Sequence, residues 1–304
     1  MIQYLDFADR VADVQYRQLL ECILNQGEEV DTQQETAARK VIGYTFRFPL
    51  ENGFPMITER DLLTSGKKTP SIFHQAIAEL CAFLNGARSQ QELEQLGCYW
   101  WKDWVTPEKC AKRGLLTGDL GPGSYGPAWR AFPTEDGPFD QIRHILEQIE
   151  ELPHLRTHFV SPWIPQYIGR GKHKQQKVVV APCHGWFHVH INTRTKELSL
   201  FCLQRSVDVP VGLVANLIQY GALTLMLAQV TGYQAKNLIY TLDDAHIYDG
   251  QLTSVERLLK TQPQPLPTMT LEASVKSLFA FRSEHFNVTD YLPQLERMRI
   301  WTPI

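Results

Sequence analysis

Three short stretches of this chain carry residue types that do chemistry together. Ala181-Pro182-Cys183-His184 sets a thiol beside an imidazole. Gln204-Arg205-Ser206-Val207-Asp208 adds a guanidinium, a hydroxyl and a carboxylate, and Asp244-Ala245-His246-Ile247-Tyr248 a second imidazole with a phenol. A thiol attacks only as thiolate, and a nearby guanidinium favours that form. Arginine also grips phosphate through two parallel hydrogen bonds. Neighbouring strand residues point to opposite faces, so Cys183-His184 alone says little. Together the three stretches describe a site that handles a nucleotide.

Elements must hold those stretches in place. Residues 10–26 carry Val11, Val14, Leu19, Leu20, Ile23 and Leu24 at mostly three- and four-residue spacings, which predicts an amphipathic helix. Val41 to Leu50 reads as a strand closed by Glu51-Asn52-Gly53. Ile72 to Leu84 is a second helix ended by Asn85-Gly86, with Glu79 among Ile77, Leu80, Cys81 and Phe83. Taken alone, Glu79 suits an exposed helix edge. In the aromatic run Tyr99 to Trp104, tryptophans three apart are most simply core residues. Phe139 to Leu152 is a charged-faced helix stopped by Pro153. Val178-Val179-Val180 leads into Phe187 to Ile191, which alternates with period two, and Asn192 to Lys196 turns the chain into Leu198 to Leu203, a hairpin. Gly212 to Gln229 is a helix apolar nearly all round, hence buried. Residues 105–118 and 164–178 are polar or basic and read as inserted surface loops. Strands and helices mix without regular alternation, which favours one α+β domain over residues 1–304.

Bulk properties narrow the function. The 304 residues are 43% hydrophobic and 21% charged, with a formal net charge of −3. That balance offers no broad basic footprint for nucleic acid. Arg170-Gly171-Lys172-His173-Lys174 reads as a solvated loop. Asn216, Gln219 and Gln229 interrupt the longest apolar run, against a membrane span. The opening residues lack the pattern of a secretion signal, and the six cysteines are scattered without paired spacing, so a cytoplasmic protein with reduced thiols is expected. His188-Val189-His190 suits one polar strand face better than a metal site, and no metal is expected.

In order along the chain, Ala78-Glu79-Leu80, Asn85-Gly86, Trp101 with Trp104, Gly118 to Pro122, Tyr125-Gly126, Trp129-Arg130-Ala131, Val160 to Trp163, Pro182-Cys183-His184, Gln204 to Asp208, Gly212-Leu213, Asn216, Tyr220 and Asp244 to Tyr248 resemble the thymidylate synthase family, over about residues 40 to 250. The resemblance implies a large, mostly antiparallel sheet backed by helices and a homodimer formed through the sheets. It implies that Cys183 adds to C6 of a pyrimidine nucleotide monophosphate, so that C5 takes a carbon from the co-substrate 5,10-methylenetetrahydrofolate. Arg205, Ser206 and, across the dimer, Arg156 would hold phosphate. Glu79 would move protons, Asn216 would read the uracil edge, and His246 with Tyr248 would contact the sugar. Tyr125 and His184 would organise water near the base, while Asp208, Gly212, Trp101 and Trp104 would hold the reduced folate.

The chain also departs from that family. Gln33-Gln34-Glu35-Thr36-Ala37 stands where an arginine-led loop folds over phosphate, and Arg156-Thr157 replaces a pair of arginines, leaving Arg156 and Arg205 unless Arg39 or Lys40 substitutes. Each lost contact would cost about 1.5–3 kcal/mol of phosphate binding. Val214-Ala215 removes an aromatic from the folate side, and Glu59 replaces a lysine beside Arg60. Arg299 to Ile304 ends in an aliphatic residue, as the family's closing tail does. In a less tightly closed site, water would quench the C5 methylene. The departures thus favour 5-hydroxymethylation of a dUMP-type nucleotide, with thymidylate synthesis the alternative. A cytosine nucleotide substrate and a non-catalytic nucleotide-binding paralogue also stay open.

Overall fold

Arg10 keeps residues 10–14 out of the first helix. Its guanidinium donates to the carbonyls of Leu5 and Leu266, both at 3.0 Å, and to Thr268 Oγ1 at 2.6 Å. Asn52 holds the Val11 backbone through two bonds of 2.8 Å. The helix expected over 10–26 therefore runs Gln15–Gln26 (α1), burying Tyr16, Leu19, Leu20 and Ile23. The molecule is described by a computed structural model that covers residues 2–67 and 69–303; Ile304 lies outside them.

Strands β1 (Glu28–Asp31) and β2 (Ala37–Pro49) follow, then helices α2 (Ile72–Leu84), α3 (Gln90–Gln95), α4 (Pro107–Ala111) and α5 (Tyr125–Arg130). A small ribbon, β3 (Phe132–Thr134) with β4 (Gly137–Phe139), precedes α6 (Gln141–Glu151), β5 (Phe159–Val160) and α7 (Pro165–Ile168). The hairpin of β6 (Trp186–Asn192) and β7 (Glu197–Asp208) forms as its alternation requires. Val178-Val179-Val180 is irregular rather than extended into it. Next come α8 (Val214–Thr231), β8 (Gln234–Tyr248), α9 (Leu252–Leu259) and the ribbon of β9 (Thr268–Leu271) with β10 (Phe286–Thr289). The two segments expected as surface loops each reach inward, because Val105 and Cys110, and Gln176 and Val178, are buried.

Six strands form one mixed sheet in the order β1-β2-β8-β7-β6-β5. Every pairing is antiparallel except β7 with β8, which run parallel because α8 carries the chain back across the sheet. α8 is apolar enough to span a bilayer by length and composition, but 89% of that window is buried inside the fold. It packs against α2, whose buried residues run from Phe73 to Leu84 with one exception. The opposite sheet face carries two rows, aromatic and aliphatic side chains mixed with histidine and threonine, in direct register. Phe159, His188, Phe201 and Ile239 form one, and Trp186, Leu203, Thr241 and Thr45 the other. Phe159 and Leu203 stay exposed.

Toward the C-terminal ends of β7 and β8 the alternation of buried residues changes phase. Buried residues fall at Leu198, Leu200, Cys202 and Gln204, then skip to Val207; on β8 they fall at Leu238, Tyr240 and Leu242, then skip to Ala245 and Ile247. Gly43, opposite this row on β2, takes φ +75°, which a side chain would resist. The change of phase leaves Arg205, Ser206 and Asp244 half-buried, unlike the core-lining residues before them.

Candidate active site

Cys183 follows the irregular 178–182 segment and docks against β7. Its backbone carbonyl accepts from Arg205 N at 2.8 Å, and its N–H donates to Tyr125 Oη at 2.8 Å. The Arg205 guanidinium donates to the carbonyls of Pro182 and Ala181, each at 2.8 Å, and its Nη2 lies 3.4 Å from Cys183 Sγ. It also sits 5.7 Å above the Trp163 ring. Burial pushes the Cys183 thiol up, while Arg205 and the Tyr125 hydroxyl pull it down. Tyr125 is stacked between Phe83 at 4.8 Å and His184 at 4.4 Å, centroid to centroid. His184 Nδ1 pairs with Tyr220 Oη at 2.7 Å. Burial, with the Arg205 charge, pushes its imidazole down to about 3, so it stays neutral at working pH.

Glu79 is buried rather than at an exposed helix edge. Its Oε1 accepts from the indole N–H groups of Trp100, at 2.7 Å, and of Trp101. Its Oε2 accepts from Gln219 Nε2 at 2.5 Å. Burial raises this carboxyl, and the three donors, Trp101 foremost, oppose the rise. From Gln219 a line of amides continues. Asn216 Nδ2 donates to Gln219 Oε1 at 2.9 Å, Gln204 Nε2 to Asn216 Oδ1 at 3.0 Å, and Tyr240 Oη to Gln204 Oε1 at 2.7 Å. A buried polar line with every link made fixes the geometry of its members.

Asp208 lies in a third group. Gln251 Nε2 donates to both carboxylate oxygens at 3.0 and 2.8 Å, and Thr302 Oγ1 donates at 2.6 Å, so the C-terminal segment already covers it. Burial raises its carboxyl against those bonds. On the adjacent strand, His246 Nδ1 meets Asp244 Oδ1 at 2.6 Å, and Lys40 Nζ is 3.8 Å from Asp244 Oδ2. Tyr248 packs edge-on against both His246 and Trp301. Strand register pairs Ser206 with Asp244 and Asp208 with His246.

The structure thus brings together Cys183, His184, Tyr125, Arg205, Glu79, Trp101 and Asn216, with Ser206, Asp208, His246 and Tyr248 on the neighbouring strand ends. Gly212 lies in a π-helical turn beside Asn216, where an added Cβ would meet only ordinary contacts. Trp104 is half-buried under Lys109 Nζ at 5.2 Å and is tied to the cluster only by its backbone N–H, which donates to the Trp101 carbonyl at 2.9 Å. Arg156 is exposed, near the β5 edge. Arg60, which remains beside the position where Glu59 replaces a lysine, is spent on the carbonyls of Met298 and Pro210, and both residues are buried. At the loop lacking an arginine, Gln33 Oε1 accepts from Arg170 Nη1 at 3.1 Å, so a cation does stand there. Sequence reasoning missed Gln219, Gln204, Tyr240, Trp100, Gln251 and Thr302. Gln219 had left a signal, an amide one turn beyond Asn216 on an otherwise apolar helix.

A cysteine held under an arginine, beside a carboxylate that only indole and amide donors reach, suits covalent catalysis on a flat polar ring. Residues 14–300 match the family model described as thymidylate synthase, and the chain belongs to that family. Its class of reaction is therefore one-carbon transfer from methylenetetrahydrofolate to a pyrimidine nucleotide. Among the described residues no cluster of metal-ligating side chains occurs.

Proposed function

We propose that the chain hydroxymethylates C5 of a uracil nucleotide monophosphate of the dUMP type. The observation that carries the catalytic part is Arg205 Nη2 poised over Cys183 Sγ, with the guanidinium held by two carbonyls. Cys183 adds to C6 as thiolate, and Arg205, Ser206 and Arg170 meet the phosphate. Asn216 reads O4 and N3–H, and Glu79 moves the proton that the ring gains and loses. Reduced folate supplies the carbon at the oxidation level of formaldehyde. Asp208 and the indole faces of Trp101 and Trp104 fit a flat ring bearing N–H donors.

The last step separates the two products. Val214-Ala215 puts no aromatic on the folate side, and Asp208 is already engaged by Gln251 and Thr302. Folate held less firmly over the nucleotide lets water close the C5 methylene before Cys183 leaves. Thymidylate synthesis is the second reading, favoured by Trp101, which is 8% exposed and seals the Glu79 side. The two rows on the outer sheet face, with Phe159 and Leu203 exposed, are the proposed homodimer surface, through which Arg156 reaches the other protomer's phosphate. Product mass after incubation with dUMP and methylenetetrahydrofolate, with dihydrofolate absorbance followed in the same cuvette, decides. Hydroxymethyl-dUMP without dihydrofolate is expected; dTMP with one dihydrofolate each refutes the water step. No covalent 5-fluoro-dUMP adduct at Cys183 would sink the enzyme reading and favour a nucleotide-binding paralogue.

A further inference from the structure

We infer that Gln219 is the positioning residue that fixes the Asn216 amide in the orientation selecting uracil over cytosine. A carboxamide can turn over, exchanging its donor for its acceptor, so its base preference depends on what pins it. Asn216 sits inside a directional line. Tyr240 donates to Gln204, Gln204 to Asn216, Asn216 to Gln219 and Gln219 to Glu79. Reversing one amide forces its neighbours to reverse.

The two ends of the line differ. Tyr240 ends in a hydroxyl, which donates or accepts and so imposes no direction, and next to it Gln204 Nε2 has a single, longer backbone acceptor, the Ser206 carbonyl at 3.3 Å. At the other end Gln219 Nε2 meets two groups that only accept, the Glu79 carboxylate at 2.5 Å and the Ala76 carbonyl at 3.2 Å. A reversed Gln219 would press its own oxygen against both. Protonation of Glu79 would relieve one of these oppositions and leave Ala76. The direction is therefore imposed most strongly from Gln219, which must offer Oε1 to Asn216. Asn216 then keeps one unused N–H and one unused lone pair. Set side by side, they match O4 and N3–H of uracil. Cytosine, with an amino group at C4 and a bare N3, needs the reverse order.

The inference rests on Asn216 contacting the base. Gln219→Met is close in volume and removes both hydrogen-bonding atoms. Dissociation constants of dUMP and dCMP would be measured by calorimetry on the full chain. The intact protein is expected to favour dUMP, and Gln219→Met to shrink that ratio about tenfold or more, the worth of one charge-assisted hydrogen bond. Gln204→Met, on the more weakly directed end, should weaken both nucleotides and shrink the ratio less than Gln219→Met does. If Gln219→Met does not fold, Gln219→Leu carries the same expectation. A merely structural role for Gln219 would weaken both ligands alike, and an unchanged ratio overturns the inference. Asn216→Ala separates the failures. If it removes the preference while Gln219→Met keeps it, only Gln219 is misassigned. If it changes nothing, or the intact chain does not favour dUMP, the base reading itself falls.

Discussion

Tyr125→Phe isolates one oxygen atom. The ring would stay stacked between Phe83 and His184, while the acceptor for Cys183 N–H would vanish. A buried N–H left without a partner costs about 1–3 kcal/mol. With a melting entropy of about 2.1 cal/mol/K per residue, a chain of 304 residues loses about 2–5 °C. The same hydroxyl favours the Cys183 thiolate, so its removal also shifts the pH midpoint of Cys183 alkylation upward. Melting is followed at fixed protein concentration, because dimerisation would make the midpoint concentration-dependent. Iodoacetamide labelling is followed peptide by peptide, with the partly exposed Cys22 as internal reference. A melt unchanged within about 1 °C, with an unchanged Cys183 labelling rate, refutes the role given to this hydroxyl.

Other perturbations have equally definite signs. Glu79→Gln should fold and lower kcat about 10²–10⁴-fold; a loss under tenfold would remove Glu79 from proton transfer. Burial pushes the Glu59 carboxyl from 4.5 up to about 7, so the folded chain holds a proton that the unfolded chain releases. Stability is then full below about pH 4.5 and falls as pH rises to 7, by on the order of 3 kcal/mol. Glu59→Gln should flatten that fall and raise the melting temperature at pH 8 but not at pH 4, and parallel melt-versus-pH curves would contradict it. Arg170→Ala should raise KM for the nucleotide about tenfold, a charge-assisted contact's worth, with kcat nearly kept; an unchanged KM assigns Arg170 to loop structure alone.

Much of this molecule was legible because single physical rules governed it. Ile72–Leu84 was readable to the residue, since Ser71 caps it by accepting from His74 N and Asn85-Gly86 ends it. The hairpin of β6 and β7 followed from alternation. β8 escaped notice because its burial phase breaks at Asp243-Asp244, so no one period runs through it. The start of α1 was misread because Arg10 finds its partners 256 and 258 residues away, beyond any local pattern. At the site, single residues of strong chemical type such as Cys183, Arg205 and Glu79 stood out by order and kind. The residues that orient them, Gln204, Gln219 and Gln251, are ordinary amides whose meaning exists only in contact.

Lys236 marks where β8 carries one residue more than β7. Leu198 faces Ala235, but Ser199 faces Asn237, leaving Lys236 as the extra residue. Lys236 is itself exposed, and its ion pair with Glu197 at 2.7 Å is screened by solvent. Almost any side chain will serve there. Deleting the position is another matter, since a one-residue slip turns a whole strand over and would move Asp244 and His246 out of step with Ser206 and Asp208. The codon for Lys236 is thus free in its spelling and fixed in its presence. Heredity can rewrite this position at will but cannot shorten the strand there.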